Sequence, residues 1–158
     1  MEKRESLWTA TCEIEKRESL QEEFTEVDAV VIGAGLAGIL TANMLKAKGI
    51  DTIVLEAGRI GRGTTGYTTA KLTSQHDMIY DRLITDLGME KALQYAAANQ
   101  RAIAFFRQLV QERAIECRLE EKNACLYTVK EDKAKELQKE AMRRQSLGFQ
   151  IRFWRKAI

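Results

Sequence analysis

The sequence of 158 residues lacks several patterns that define other classes of protein. It has one histidine and three cysteines, and the odd number of cysteines without CxxC spacing argues against a disulfide framework or a zinc site. No apolar run approaches the length of a transmembrane helix, and no Gly-Lys dipeptide is present for a P-loop. The start, MEKRESLW, is too charged for a secretory signal. We expect a cytoplasmic protein with reduced thiols, no metal site and no membrane span.

The charge of the chain points to no polyanionic partner. The net charge is +2 and the apolar fraction is 45%, which is ordinary for a globular protein. Basic and aromatic residues alternate in the last ten residues, FQIRFWRKAI, so a short nucleic-acid-binding strip is one alternative. The segment is brief and the overall field is weak, and we therefore predict no nucleic-acid partner.

The most specific pattern lies in residues 27–56. The β-branched apolar run 30–32 predicts a strand that is buried on both faces. A glycine hexapeptide of the form GxGxxG follows, and the apolar face after it predicts a helix from about residue 36 to residue 48. Residues 50–55 predict a second strand, and Glu56 stands at its carboxyl end.

Each part of this unit has a physical role at a nucleotide. Gly33 permits a tight turn, Gly35 leaves room for a pyrophosphate, and Gly38 allows the helix to pack closely on the strands. The helix N-terminus favours a phosphate, and Glu56 can accept ribose hydroxyls in bonds worth about 1.5–3 kcal/mol each. This predicts a site for the adenosine-diphosphate half of a dinucleotide. The alternative, a glycine-tightened βαβ unit that binds nothing, leaves Glu56 without a role.

The next segment separates two candidate dinucleotides. Residues 57–76 are rich in Gly and Thr and have no clear period. Such a loop offers backbone N–H groups and hydroxyls to a long polar ligand, whereas an NAD-type unit would usually continue directly into another helix and strand. The segment therefore favours FAD, with an ordinary solvated loop as the alternative.

Three motifs carry a resemblance to a known family: VVIGAGLAG, IVLEAG and GRGTTGYTTAKLTSQH. The sequence resembles the FAD-dependent oxidoreductases of the D-amino-acid oxidase and glycine oxidase type. It is similar to a bacterial subgroup whose longer members can carry a Rieske iron–sulfur domain, and the early SLWTAT also looks like the start of that subgroup. The resemblance implies an α/β architecture with a Rossmann-like βαβ FAD-binding fold of the glutathione-reductase type. It also implies oxidation of a small-molecule amine or amino acid.

The resemblance also implies which residues meet the cofactor. Tyr67 stands where similar sequences often have a histidine, so we expect non-covalent FAD rather than a histidyl linkage. The implied cofactor contacts comprise the pyrophosphate turn, the ribose carboxylate and the loop that follows it. They are Gly33, Ala34, Gly35, Leu36, Ala37, Gly38, Glu56, Ala57, Arg59, Thr64, Thr65, Thr69, Ala70 and Lys71.

The rest of the chain predicts added helices and a small antiparallel strand pair. Asp77 is predicted to cap a helix that Gly88 ends, and a longer helix is expected over about residues 90–113. Residues 124–129 predict a strand of the pair, and a charged helix with a solvated face follows over 132–147. We assign no catalytic residue. The single histidine, His76, is more often structural at such a place, with a position near the flavin as the alternative.

The motifs suggest three segments. Residues 1–26 form an N-terminal arm, residues 27–148 form the N-terminal portion of an FAD-binding domain, and residues 149–158 form an atypical basic and aromatic tail. Because enzymes of the resembled family are considerably longer, we hypothesise that this is an N-terminal fragment produced by a frameshift, a premature stop or an artificial boundary. Such an incomplete sheet would expose apolar surface.

Overall fold

The computed structural model describes residues 6–12, 17, 19 and 26–153. The chain divides into two compact units, Met1–Lys71 and Leu72–Ile158. In chain order the elements are α1 (Leu7–Thr11), β1 (Ala29–Ile32), α2 (Leu36–Ala47), β2 (Thr52–Leu55), a 3₁₀ turn (Thr65–Tyr67), α3 (Tyr80–Glu112) and α4 (Glu131–Ser146). Most of the predicted 1–26 arm, and residues 154–158 of the predicted tail, lie outside the described residues.

The first unit contains the predicted βαβ arrangement. Strands β1 and β2 pair in parallel, with Ala29 opposite Thr52 and Ile32 opposite Leu55. A parallel pair needs a crossover connection, and α2 supplies it. The helix gives way to the second strand through Gly49, whose φ of +77° is a conformation that glycine adopts readily.

One face of this small sheet is open, which corrects the expectation of burial on both faces. Alternate strand residues point to opposite sides, and α2 covers the side on which Val31 is half-buried. On the other side, Val30 is 52% exposed and Ile32 is 87% exposed. The sequence prediction was wrong on this point because a β-branched run specifies a strand but not how many layers cover it.

The second unit is built around two helices. Gly88 interrupts α3 with non-helical φ and ψ of 84° and 166°, at the break predicted from the sequence. Its buried side chains include Tyr80, Ala92 and Ala96, of which Tyr80 and Ala92 are fully buried. Helix α4 packs against α3, so the core of the second unit is helical.

A glutamate distant in sequence closes the start of α3. The Glu140 carboxylate accepts hydrogen bonds from the backbone N–H groups of Tyr80 (3.0 Å) and Asp81 (2.7 Å), and its side chain is 1% exposed. The predicted cap, Asp77, lies before the helix start and has a φ of 57°. The prediction for Asp77 is therefore wrong, because an acceptor from α4 already holds the first N–H groups of α3.

Charged residues around this junction also correct the prediction that α4 presents only a solvated face. Lys139 and Arg143 pair with Asp81 at 2.7 and 3.2 Å. The hydrogen bond from Lys139, assisted by Arg143, lowers the pKa of the Asp81 carboxyl below its ordinary value. The sequence prediction was wrong because charged residues lie on most sides of α4. The side that packs against α3 is therefore charged as well and cannot be told apart by charge alone.

Arg144 joins the same junction through aromatic rings. Its guanidinium lies 4.7 Å from the centre of the Phe149 ring and 5.5 Å from that of Tyr80, and it donates a hydrogen bond to Gln75. The Tyr80 hydroxyl donates to the backbone carbonyl of Ser74 at 2.6 Å. Burial lowers the pKa of Arg144 and raises that of Tyr80.

The predicted antiparallel strand pair is absent from the described residues. The sheet there consists of β1 and β2 and is parallel. Residues 124–129 have no regular secondary structure, and Tyr127 and Val129 are 83% and 82% exposed. The predicted strand did not form because a strand requires a hydrogen-bonded neighbour, and no segment of the described chain pairs with these residues.

The cysteines Cys12, Cys117 and Cys125 are free and exposed. Within the described segments, every helix is too short or too polar to cross a bilayer.

Candidate cofactor-binding site

The turn between β1 and α2 depends on two glycines for different reasons. Gly33 has a φ of +98°, which side chains disfavour, and its N–H donates to the Leu55 carbonyl at 2.7 Å. Gly38 is required for space, because a Cβ at this position would overlap the Gly33 carbonyl oxygen. The turn therefore brings the start of α2 against the carboxyl ends of both strands.

The start of α2 is a neutral, hydrogen-bonding surface. The first N–H groups of any α-helix have no intrahelical acceptor. Here the N-cap is Gly35, which has no side chain to accept them. The Thr65 hydroxyl accepts the N–H of Leu36 at 3.0 Å, and a Cβ on Gly35 would lie 3.2 Å from the same oxygen. Backbone donors, a helix dipole and a missing Cβ thus meet at one point, which suits a phosphate group.

Glu56 is held at the carboxyl end of β2 by two backbone groups. One carboxylate oxygen accepts the N–H of Ala34 and the other accepts that of Gly58, both at 2.8 Å. The Ala34 bond, followed by the Gly58 bond, lowers the pKa of the Glu56 carboxyl below its ordinary value of 4.5. A carboxylate has about four acceptor positions, so two remain for further donors on an exposed side chain.

The loop after Glu56 folds back onto the glycine turn. The N–H of Gly61 donates to the Ala34 carbonyl at 2.9 Å, and Gly61 and Gly63 have φ values of +68° and +70°. Thr64 precedes the 3₁₀ turn, and Thr65 begins it. Both threonines therefore lie on a short turn whose position is fixed against α2 and β1.

The structure joins some of the predicted site residues directly and leaves others apart. The N–H of Ala34 donates to Glu56, and the N–H of Leu36 donates to Thr65. Gly35 lies against Thr65. Exposed positions without such a direct bond include Ala37 at the helix start and Ala57 and Arg59 after β2. The end of the loop, residues 69–71, is exposed and irregular, with a positive φ of 52° at Ala70.

Sequence reasoning missed three residues that shape this site. Gly58 gives its N–H to Glu56, and Gly66 is buried where a Cβ would lie 3.0 Å from the Gly61 carbonyl oxygen. Trp8 in α1 donates its indole N–H to the Thr68 carbonyl at 2.6 Å. The number of glycines in the loop could have indicated Gly58 and Gly66. No sequence spacing connects Trp8 to Thr68.

The second unit places His76 in a polar contact of its own. Its Nε2 lies 3.3 Å from Asn99 Oδ1, and its ring meets Tyr95 edge-on with centroids 6.3 Å apart. No group of three or more metal-ligating side chains occurs among the described residues. His76 thus precedes α3 and contacts two of its side chains, Tyr95 and Asn99.

Comparisons with known proteins show the family. A family model for FAD-dependent oxidoreductases, DAO, matches residues 28–158. The chain belongs to this family, and the resemblance drawn from its motifs is confirmed.

Three curated relatives extend this result. YhfW of Bacillus subtilis, which carries the name of a Rieske 2Fe-2S iron–sulfur protein, is 38% identical over 146 residues, or 92% of this chain and 28% of the relative. Gamma-glutamylputrescine oxidoreductase of Escherichia coli is 29% identical over 63% of this chain and 23% of the relative. The oxidoreductase OrdL of Haemophilus influenzae is 28% identical over 60% of this chain and 22% of the relative. No solved structure matches this chain.

The residues of the first unit fit the adenosine-diphosphate half of the family's cofactor. The fit depends on the missing Cβ of Gly35, on the neutral start of α2 and on the spare acceptor positions of Glu56. The chain spans about a quarter of the length of the curated relatives it matches.

Proposed function

We propose that the first unit binds FAD non-covalently as the nucleotide-binding part of an oxidoreductase. The observation that carries the proposal is the pairing of two preformed features: a helix start open to a phosphate and an ionised Glu56 oriented by Ala34 and Gly58. The proposed fold of the complete domain is Rossmann-like, of the glutathione-reductase type. The parallel β1–α2–β2 arrangement of the first unit supports this proposal.

The proposed contacts divide by the chemistry of the cofactor. The pyrophosphate is bound by backbone N–H groups and hydroxyls, and the adenosine ribose by Glu56 with the adjacent backbone. The adenine side and the flavin side take the rest of the loop. The pyrophosphate group is Gly33, Ala34, Gly35, Leu36, Ala37, Gly38, Thr64 and Thr65; the ribose group is Glu56 and Ala57; the remaining contacts are Arg59, Thr69, Ala70 and Lys71.

For the whole protein we propose oxidation of a small-molecule amine or amino acid in the cytoplasm. Bound FAD would supply the acceptor for a hydride equivalent from the carbon that bears the nitrogen, and the substrate would leave as an imine that hydrolyses. The name of the relative gamma-glutamylputrescine oxidoreductase supports an amine-bearing substrate. The role of this chain's own residues is to bind and orient the nucleotide half of the cofactor.

The test is cofactor retention by the purified chain. Flavin absorption bands should remain with the protein after gel filtration with added FAD, and excess NAD should not displace them. Glu56→Ala should weaken FAD binding by more than about tenfold, since it removes the charge-assisted hydrogen bonds to the ribose hydroxyls. The control Glu116→Ala changes an exposed glutamate in the second unit and should bind FAD like the parent.

Other outcomes would select other functions. Retention of NAD in place of FAD would replace the proposal by an NAD(P)-dependent enzyme. Retention of neither nucleotide would leave a non-catalytic interaction module. Equal FAD binding by Glu56→Ala and the parent would remove Glu56 from the site.

A further inference from the structure

Helix α1 packs against the loop that follows β2, far away in the sequence. The Trp8 indole N–H donates to the Thr68 carbonyl at 2.6 Å, across 60 residues. The Thr9 methyl group lies where a Cβ on Gly66 would meet it at 3.3 Å, and Gly66 itself is buried. The 3₁₀ turn is therefore in contact with α1 through a hydrogen bond and through close packing.

This helix is too short to be stable by itself. It has five residues, and isolated helices below about 12–15 residues are marginal in water. The Ser6 hydroxyl caps it by accepting the N–H of Thr9 at 3.2 Å. Its order must therefore derive from the cap and from the contacts with the loop, and the loop receives the same support in return.

The opposite end of the contact chain is the start of α2. Thr65, in the same 3₁₀ turn, accepts the Leu36 N–H through its hydroxyl. The turn thus touches α1 at Gly66 and α2 at Thr65, and Thr68, which directly follows the turn, bonds Trp8 of α1. Because the turn has only three residues, a displacement at one contact must change the other.

We propose that α1 is a clasp that holds the loop 61–71, here called the cofactor loop, in the conformation that binds FAD, with Trp8 as its positioning residue. The inference rests on the proposed FAD function and adds its control by the N-terminal segment. Trp8 acts through Thr68 and the 3₁₀ turn. FAD affinity is then set partly by whether α1 is docked.

The test compares Trp8→Phe with the parent chain in two measurements. Phe keeps the aromatic ring but removes the N–H donor. Without cofactor, hydrogen–deuterium exchange in the cofactor loop should become several times faster, while exchange in α3 stays the same. With cofactor, the dissociation constant for FAD should rise about fivefold, as expected from one neutral hydrogen bond. Tyr127→Phe, which removes a donor from an 83% exposed aromatic ring, is the matched control.

The two measurements distinguish failure of the clasp from failure of the FAD assignment. Unchanged loop exchange in Trp8→Phe would overturn the clasp, whatever the affinity for FAD. Faster loop exchange with unchanged FAD affinity would overturn the positioning role of Trp8. If the parent chain does not bind FAD, the proposed function fails and the positioning role fails with it. A fall in FAD affinity with equal loss in Tyr127→Phe would also count against Trp8.

Discussion

Helix α2 in the first unit and helix α3 in the second begin in opposite ways. At the start of α2, the N–H of Leu36 meets only the neutral hydroxyl of Thr65. At the start of α3, the carboxylate of Glu140 accepts the N–H groups of both Tyr80 and Asp81 and is buried. Both helix starts present the same orphan donors and the same positive dipole end.

The difference shows what makes a helix start available to a ligand. The buried Glu140 already supplies the negative charge and the acceptors that an anion would bring, so the start of α3 serves the packing of α4. At α2, the nearby carboxylate of Glu56 is engaged by Ala34 and Gly58 instead of by the helix. The start of α2 therefore has a neutral hydroxyl from Thr65 where the start of α3 has the buried carboxylate of Glu140.

The largest expected effect comes from breaking the backbone geometry at the start of α2. In Gly38→Ala the new Cβ would overlap the Gly33 carbonyl oxygen, so α2 must move away from the strands. We expect a loss of about 3 kcal/mol in unfolding free energy and loss of FAD retention. Urea unfolding and FAD titration measure both quantities.

The matched control for that change is Gly58→Ala. Its Cβ would lie 3.4 Å from Glu56 Oε1, an ordinary contact, and the donating N–H is kept. This variant should lose less than about 1 kcal/mol. Equal stability of the Gly38 and Gly58 variants would contradict the close packing assigned to Gly38.

The next largest effect comes from removing the carboxylate that caps the start of α3. Glu140→Ala leaves the N–H groups of Tyr80 and Asp81 without their acceptor, and we expect a loss of about 2–3 kcal/mol. Glu136→Ala, an exposed change on the same helix that removes a surface pair with Lys133, should cost less than about 1 kcal/mol. Thermal unfolding of both variants checks the difference. Equal losses would show that Glu140 does not cap α3.

The turn at the start of α2 could be predicted from the sequence because the residues that form it lie close together in the chain. Gly33, Gly35 and Gly38 fall within six residues, and their spacing defines a turn, an approach and a packing contact. Glu56 follows at the end of the next strand, where the parallel register brings it beside the turn. These few positions were part of the resemblance from which the family could be inferred.

The capping of α3 by Glu140 could not be predicted, because the residues that form it are far apart in the sequence. Glu140 lies 60 residues from Tyr80, and nothing in the local charge pattern distinguishes it from its solvated neighbours. The same distance separates Trp8 from Thr68. The mistaken strand at 124–129 has the reverse cause, since its local pattern was favourable but no partner strand was available.

A small carboxylate should restore part of what Glu140→Ala loses. Acetate can occupy the space of the removed side chain and accept the N–H groups at the start of α3. At ten times its dissociation constant, it would stabilise this variant by about 1.4 kcal/mol. The melting temperature of Glu140→Ala should rise in acetate relative to sodium chloride of equal ionic strength, while the parent shows no such difference. An equal rise in both proteins would indicate a general salt effect and would weaken the comparison of the two helix starts.

The smallest expected effect is the acid dependence contributed by Glu56. Its pKa in the folded chain is below the ordinary value of 4.5, so its ionised form stabilises the fold fully above about pH 4.5. That contribution is lost as the pH falls through the folded pKa, where the bonds from Ala34 and Gly58 meet a protonated carboxyl. Glu56→Gln does not titrate, so its melting temperature should fall less steeply than that of the parent between about pH 5 and pH 3. Glu116→Gln should follow the parent, and parallel curves for Glu56→Gln and the parent would show that Glu56 is not held by these two N–H groups.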